Sequence, residues 1–345
     1  MKAAVFQGPA GSWPEKPVAI EEVPTPRAGA GEVLVRIAAC GVCRTDLEYL
    51  KEIRTPKKPP IILGHEPSGV IEEVGKGVAS LHRGDRVIIP CIFPCGRCPS
   101  CRSGRPNLCA SAELIGATRD GAYAEYIAVP QESIHILPEG LPLAECAILG
   151  DAVATPYHAL VTVARIKPGD SVAVFGASGG LGLAAVEIAS SLGATVIGVG
   201  RQAWKLQKAK DLGASHVIST LEVPKVEAEV HRLVPGGVDI SLDASGVPGL
   251  IEAAGRATRP GGRVVVMGFS LGRFQIPINR LVWLEHSIHG SKNYHPDDLG
   301  RVIQMVQRGM VHPSKLVSHR FALDDINEAF GALDRGEMLR GIVIP

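Results

Sequence analysis

The sequence lacks a large net charge of either sign, a long apolar run, an internal repeat and a low-complexity segment. Its 36 Lys and Arg residues are matched by 35 Asp and Glu residues, which leaves a formal net charge of +1. No global field favours nucleic acid or an anionic membrane, so neither is expected as a partner. No apolar stretch reaches the roughly 18 residues that a membrane-spanning helix needs.

Residues 1–9 carry an apolar stretch that is far too short for a secretory signal peptide, so a cytoplasmic location is expected. In that compartment the eight cysteines should be thiols or metal ligands rather than disulfides. A hydrophobic fraction of 46% and a charged fraction of 21% are typical of a globular protein. Because a chain of 345 residues is longer than a single hydrophobic core usually accommodates, two domains are predicted.

The first 150 residues and the remainder have different periodicities. In the first part, short segments such as 33–37, 85–89 and 123–128 are bounded by Gly and Pro, which predicts a compact β-rich domain. After Asp151, apolar strands alternate with helical patterns, which predicts the α/β class with a doubly wound parallel sheet. The predicted strands of that sheet are 171–175, 195–199, 216–219, 238–243, 263–268 and 287–290. The tail adds predicted helices at 299–308 and 324–335 and a strand at 341–344.

Four closely spaced cysteines, which we call the cysteine lobe, are the most specific motif: Cys95, Cys98, Cys101 and Cys109. Four thiolates can close a tetrahedral Zn²⁺ shell, and such a closed shell is structural rather than catalytic. Gly and Pro residues deny the segment regular structure, so metal binding gives a physical reason for it to be ordered. Four unconnected thiols and an iron–sulfur cluster are the alternatives, although the spacing fits neither of the common ferredoxin motifs.

A second metal site is suggested by Cys40 and Cys43, His65 and Glu66, and Asp151. Taken singly, Cys40 and Cys43 could be a redox pair, His65 a core histidine and Asp151 a helix cap. Together they indicate a thiolate, an imidazole and a carboxylate around Zn²⁺, with a fourth position open for water or substrate. The neighbours His65 and Glu66 should point to opposite faces of an extended segment. We therefore expect His65 to be the ligand and Glu66 to sit behind it, or to swing in when substrate leaves.

In this order the motifs resemble those of the zinc-containing medium-chain dehydrogenase/reductase family, in its alcohol dehydrogenase group, over nearly the whole chain. The resemblance implies a β-rich GroES-like catalytic domain, residues 1–150 and 292–345. It also implies a Rossmann dinucleotide-binding domain, residues 151–291.

The resemblance also assigns the metal ligands. In the family's Gly-x-Cys-x-Thr/Ser-Asp motif the zinc ligand matches Cys43 rather than Cys40, and Asp151 matches the third ligand. The cysteine lobe matches the family's structural zinc, so two zinc ions per chain are expected. Cys40, Cys91 and Cys146 are then ordinary buried thiols.

A glycine cluster follows predicted strand 171–175 and precedes a helical pattern at 183–191. A dinucleotide-binding fingerprint requires this context, since the glycines let the backbone approach a pyrophosphate and the helix N-terminus stabilises its charge. The spacing is Gly-x-x-Gly-Gly-x-Gly rather than Gly-x-Gly-x-x-Gly, and a tight turn without a ligand is the alternative. The expected coenzyme contacts are Gly176, Ser178, Gly179, Gly180 and Leu181.

The next predicted strand is followed by Gly200, where NAD-binding domains usually carry Asp or Glu for the ribose hydroxyls. A carboxylate would repel a 2′-phosphate, whereas glycine makes room and Arg201, with Lys205 nearby, can bind it. NADP(H) is therefore favoured over NAD(H), and the alternative is a simple turn with a solvated Arg201. The resemblance implies further coenzyme contacts: Arg44 and Arg340 at the pyrophosphate, and Thr155, Ala244, Gly268 and Phe269 around the nicotinamide.

The resemblance implies an alcohol, aldehyde or ketone substrate whose oxygen is polarised by zinc while hydride moves between its carbon and the nicotinamide. Thr45 matches the family's hydroxyl relay for the proton. Many relatives have a histidine where this chain has Glu48, so the relay ends either on Glu48 or on water. Phe93 and Trp283 are candidates for the substrate pocket, with core packing the more ordinary interpretation of each.

Two other functions stay open. The glycine-rich turn also occurs in zinc-free enoyl or quinone reductases, and a non-enzymatic cofactor-binding protein could use the same scaffold. The metal-ligand residues argue against both. A homodimer or homotetramer is expected from the family, and the apolar stretch 281–288 could pair between subunits.

Overall fold

A computed structural model describes residues 1–8, 17–53 and 59–345. These residues form two compact units. Unit 1 comprises Met1–Asp151, His295–Gln307 and His312–Pro345, and unit 2 comprises Ala152–Tyr294 and Arg308–Val311. None of the helices in the described part of the chain combines the length and the hydropathy that crossing a membrane demands.

In sequence order, the strands of the described chain are β1 (Lys2–Phe6), β2 (Ala19–Glu22), β3 (Glu32–Val42), β4 (Ile61–Ile62), β5 (Pro67–Val74), β6 (Arg86–Ile88), β7 (Ile92–Phe93), β8 (Glu113–Leu114), β9 (Tyr126–Pro130), β10 (His135–Ile136), β11 (Ser171–Phe175), β12 (Thr195–Gly200), β13 (His216–Ser219), β14 (Val238–Asp243), β15 (Thr258–Val266), β16 (Ser287–Gly290), β17 (His319–Ala322) and β18 (Gly341–Ile344). The α-helices are α1 (Arg44–Leu50), α2 (Pro99–Arg102), α3 (Ala154–Tyr157), α4 (Gly180–Ser191), α5 (Ala203–Asp211), α6 (Val226–Leu233), α7 (Pro248–Ala257), α8 (Ile278–Leu284), α9 (Pro296–Gln307), α10 (Pro313–Leu316) and α11 (Ile326–Arg335). Short helical turns of the 3₁₀ type cover Pro106–Leu108, Gln131–Ser133, Glu145–Gly150 and Leu323–Asp325, and a π-helix covers His158–Val163.

Unit 1 is built around the long strand β3. This strand pairs antiparallel with β5, β9 and β18, and the main sheet has the order β10-β6-β5-β3-β18-β17. In β3, Val33, Val35 and Ile37 are buried while Arg36 is exposed, so one face of the strand packs into the core. The predicted β-rich domain is confirmed.

Unit 2 contains a parallel sheet of six described strands in the order β13-β12-β11-β14-β15-β16. Counted within the unit, this order is 3-2-1-4-5-6, which is the doubly wound Rossmann arrangement. Val172–Phe175 are all fully buried, because helices cover both faces of such a sheet and favour continuous apolar strands. The predicted doubly wound sheet is confirmed, and its topological switch point lies between β11 and β14.

Candidate active site

The second predicted metal site is assembled entirely within unit 1. Cys43 directly precedes α1, His65 and Glu66 lie in the connection from β4 to β5, and Asp151 follows the turn Glu145–Gly150. Each of the four offers one ligand atom, and these atoms lie within 4.8 Å of one another. Residues more than 100 positions apart in sequence, such as Cys43 and Asp151, therefore converge at one point.

The cluster concentrates negative charge in a buried place. Cys43 Sγ lies 3.9 Å from Asp151 Oδ2, and His65 Nε2 lies 3.7 Å from the same oxygen. Although burial opposes it, the positive charges of Arg340 and His65 lower the pKa of the Cys43 thiol, which favours the thiolate form that binds metals. Although burial opposes this shift too, the charges of Asp46 and Cys43 hold the pKa of His65 well above its usual range. The site therefore favours a positive charge, which a divalent cation can supply, and its donor set fits zinc.

Glu66 faces the cluster together with His65, so the expectation that the two side chains point apart is wrong. The connection that carries them precedes β5, and the alternation of a strand does not apply there. Glu66 is fully buried, and a Cβ atom at Gly41 would lie 2.1 Å from its Oε2, so a side chain at position 41 would displace this carboxylate.

Arg340 is the partner of Glu66. Its side chain is buried, Nε lies 3.2 Å from Glu66 Oε2, and Nη2 contacts Oε1. A buried carboxylate needs such a partner, because an unpaired buried charge is costly. The pairing gives Arg340 a contact that its position in the sequence does not reveal, and its assignment to the pyrophosphate stays a prediction.

Asp46 is a site residue that was given no role from the sequence. It is fully buried, its Oδ1 lies 3.3 Å from His65 Nδ1, and its Oδ2 accepts the backbone N–H of Cys43 at 3.2 Å. Carboxylates commonly orient metal-binding histidines in this way. A sequence signal for this residue exists, since Asp46 is the last residue of the motif that contains Cys43.

The proton-relay candidates lie on α1. Thr45 and Glu48 are both half-buried and are three residues apart, which places them on the same side of the helix, whereas Arg44 is exposed. The structure therefore places the two relay residues on one face of the helix that Cys43 directly precedes.

The cysteine lobe also comes together. One sulfur from each of Cys95, Cys98, Cys101 and Cys109 lies within 4.8 Å of the others, and the Sγ atoms of Cys98 and Cys101 are 3.5 Å apart. Tetrahedral zinc–sulfur bonds place sulfurs roughly 3.8 Å apart, so the arrangement fits a closed zinc shell. Hydrogen bonds from the backbone N–H groups of Arg97 and Cys98 lower the pKa of Cys95 to about 6, which favours its thiolate.

The glycine-rich turn of unit 2 has the shape of a phosphate cradle. It leads from β11 through Gly176, Ser178 and Gly179 into α4, whose first residues are Gly180 and Leu181. A Cβ atom at Gly182 would lie 2.1 Å from the carbonyl oxygen of Gly176, so glycine alone permits this approach of helix to strand. The open helix N-terminus and the close turn fit a pyrophosphate.

The structure brings several other predicted coenzyme contacts to the carboxyl ends of the parallel strands. Ala244 follows β14 and donates its N–H to the Phe175 carbonyl at 2.8 Å, and Gly268 and Phe269 follow β15. Thr155 lies elsewhere in unit 2, buried on α3.

The predicted 2′-phosphate contacts lie after β12. Gly200 ends the strand, Arg201 is exposed, and the Lys205 amine lies 5.1 Å from the centre of the Trp204 ring. Burial, followed by the charge of Arg201, lowers the pKa of Lys205. Both cationic side chains therefore come shortly after the end of β12, where the 2′-phosphate contacts were predicted.

The two pocket candidates differ in the structure. Phe93 is buried in the core of unit 1, with the Arg119 guanidinium 5.7 Å from the centre of its ring. Trp283 on α8 is 84% exposed, so core packing is the wrong interpretation for this residue.

Family models, curated relatives and solved structures all show similarity of this chain to zinc-type alcohol dehydrogenases. Residues 29–139 match the alcohol dehydrogenase GroES-like domain, and residues 180–308 match the zinc-binding dehydrogenase domain. An alcohol dehydrogenase from Geobacillus stearothermophilus is 37% identical over 100% of this chain and 99% of its own length. A sorbitol dehydrogenase from Halalkalibacterium halodurans is 32% identical over 95% of this chain and 95% of its own. The crystal structure of an NAD-dependent alcohol dehydrogenase superposes with a TM-score of 0.93 at 31% identity, covering 100% of both chains.

Proposed function

Since the chain belongs to the zinc-containing medium-chain dehydrogenase/reductase family, in its alcohol dehydrogenase group, we propose that it interconverts an alcohol and an aldehyde or ketone. Hydride would move between the substrate carbon and a nicotinamide coenzyme. The observation that carries this proposal is the convergence of Cys43, His65, Glu66 and Asp151 within 4.8 Å. A thiolate, an imidazole and carboxylates form the donor set of a zinc site that does chemistry rather than a purely structural one.

Cys43, His65 and Asp151 are the proposed zinc ligands. When bound, zinc supplies Lewis acidity to the substrate oxygen. The Arg340 guanidinium pairs with the Glu66 carboxylate. We propose that this pairing keeps Glu66 out of the fourth position of the site while substrate is bound, and that Glu66 swings in when substrate leaves. The cysteine lobe is the proposed structural zinc site.

The function is tested by assaying zinc-replete protein with a panel of primary alcohols, secondary alcohols, polyols and the corresponding carbonyl compounds, with both coenzymes. We expect hydride transfer with at least one pair, measured as coenzyme absorbance. Reduction of enones or quinones alone, by protein that holds no zinc, would contradict the proposal and favour a zinc-free reductase.

Thr45 is the proposed first proton acceptor, followed by Glu48 or water. Replacing Thr45 by valine keeps the shape and removes the hydroxyl, so turnover should fall by about 10²-fold, the lower end of the range for a lost proton-transfer group. Zinc content, measured by atomic emission, should stay at two ions per chain. The control is Thr45→Ser, which restores a hydroxyl and should recover most of the turnover. Unchanged turnover of the valine variant across the pH range would remove Thr45 from the relay.

NADP(H) is the proposed coenzyme. One structural neighbour is NAD-dependent, so family membership alone does not distinguish NADP(H) from NAD(H). The proposal therefore rests on Gly200 and Arg201. Hydrogen bonds to a charged group contribute roughly 1.5–3 kcal/mol, so Arg201→Ala should raise the Michaelis constant for NADPH by about ten- to a hundredfold. The same variant is its own control with NADH, for which the constant should change less than about twofold. A native enzyme that clearly prefers NADH would overturn the assignment.

A homodimer or homotetramer is proposed, with the second copy covering α8 and the sheet edge. Ile278, Val282 and Trp283 on α8 are exposed, and β16 lies at the edge of the parallel sheet. Exposed apolar side chains beside an open strand edge are features that subunit contacts cover. Light scattering of the purified protein tests this, and a monomer at micromolar concentration would contradict it.

A further inference from the structure

Tyr123 reaches the metal cluster from a separate segment of unit 1. Its backbone is fixed by two hydrogen bonds, from its own N–H to the Leu63 carbonyl and from the Ala4 N–H to its carbonyl. The side chain is fully buried. Its hydroxyl oxygen lies 2.7 Å from Asp46 Oδ2 and 2.9 Å from the Gly41 carbonyl oxygen. A phenol has one proton to donate, and the ionised carboxylate is the stronger acceptor, so the hydroxyl donates to Asp46.

The other oxygen of Asp46 faces His65. Oδ1 is buried and has no hydrogen-bond partner among the described residues, and His65 Nδ1 lies 3.3 Å from it, within ion-pair distance. A proton held on Nδ1 by this carboxylate leaves the lone pair of Nε2 directed into the cluster. The side chains of Tyr123, Asp46 and His65 therefore contact one another in succession, from phenol to carboxylate to imidazole.

We propose that Tyr123 is a positioning residue for the metal site, acting through Asp46 to fix the ring orientation and tautomer of His65. This inference rests on the proposed function, because it concerns the ligand that His65 presents to zinc. A carboxylate attached through one rotatable Cβ–Cγ bond turns easily, and its torsion has broad preferences. The hydroxyl of Tyr123 and the N–H of Cys43 together hold Oδ2, and that leaves Oδ1 aimed at the imidazole.

The hydroxyl can be separated from the ring by mutation. The Tyr123 ring packs edge-on against Phe330, with centroids 5.8 Å apart and an interplanar angle of 76°. Phenylalanine keeps this packing, so Tyr123→Phe removes only the hydroxyl, with its contacts to Asp46 Oδ2 and to the Gly41 carbonyl oxygen. The matched control is Tyr126→Phe, which removes the hydroxyl of a half-buried tyrosine three residues further along, on β9.

The test measures metal affinity rather than activity alone. Zinc would be removed by chelator competition and the cluster refilled with Co²⁺, whose visible absorption reports ligand geometry. Because partners of metal ligands typically contribute 10–100-fold to affinity, Tyr123→Phe should weaken metal binding at this cluster by about that factor and alter the Co²⁺ spectrum. The cysteine lobe should keep its metal, and Tyr126→Phe should behave as the native protein does.

A double-mutant cycle with Asp46→Asn distinguishes positioning from general packing. If Tyr123 acts through Asp46, removing the Tyr123 hydroxyl should weaken metal binding little further in the Asp46→Asn protein. The effects of the two substitutions on metal affinity should then be strongly non-additive. Additive losses would contradict the proposal, as would a Tyr123→Phe variant with native metal affinity and spectrum. The failure of the proposed function has a different signature, since native protein would then bind metal only in the cysteine lobe.

Discussion

Replacing Cys43 by alanine should lower kcat/KM by at least about 10³-fold and remove one of two zinc ions per chain. The thiolate is one of three proposed permanent ligands, and without it the cation is neither held nor placed beside the substrate oxygen. Lewis-acid stabilisation of several kcal/mol is then lost, which corresponds to a thousandfold or more in rate. Zinc content and steady-state kinetics, measured on the same preparation, test this expectation.

The matched control for this variant is Cys40→Ala. Cys40 is a fully buried thiol three residues away, whose sulfur lies 3.7 Å from the Gly41 carbonyl oxygen and outside the four-residue cluster. This variant should retain both zinc ions and activity within a few-fold, at a stability cost of about 1 kcal/mol, as is typical of point mutations. If Cys40→Ala lost the zinc while Cys43→Ala kept it, the ligand assignment would be wrong.

The second large effect concerns stability. Cys101→Ser should remove the other zinc ion and lower the melting temperature of the protein by roughly 10 °C, since a structural zinc site contributes several kcal/mol of folding free energy. The cysteine lobe has only short helical turns, α2 and Pro106–Leu108, and few buried side chains to replace the metal. Calorimetry with metal analysis measures both changes.

The control for the lobe is Cys146→Ala. Cys146 is a fully buried cysteine of unit 1 that lies outside both clusters, so its variant should keep two zinc ions and lose only cavity-related stability. A Cys101→Ser variant with native zinc content and melting temperature would show that the lobe holds no structural metal.

The parallel sheet was well predicted from the sequence, and the reason is physical. The bounds of β11, β13, β14 and β16 agree with those predicted. The central strand β11 is buried on both faces and reads as a short apolar run, whereas β13 and β16 are edge strands that are only partly buried. The prediction for β15 starts too late. It began at Arg263, whereas the strand begins at Thr258 and includes Pro260 and two glycines, residues that normally mark a turn.

The site was predicted unevenly. The order of the motifs suggested a thiolate, His65 and Asp151 as metal ligands, but the choice of Cys43 over Cys40 came from the family resemblance and not from the residues alone. The contacts of Asp46 with His65 and of Arg340 with Glu66 join positions that are distant in sequence, and only the fold reveals them. Trp283 was misinterpreted as a core residue, because an apolar residue type alone does not tell whether the side chain is buried or exposed.

The most direct test of the proposed zinc chemistry is an anomalous scattering map at the zinc absorption edge, from crystals of the zinc-replete protein. Two peaks per chain are expected. One should lie about 2.0–2.3 Å from Cys43 Sγ, a nitrogen of His65 and an oxygen of Asp151, and the other among the four sulfurs of the cysteine lobe. A peak in the lobe alone, with none at Cys43, would contradict the proposed catalytic site.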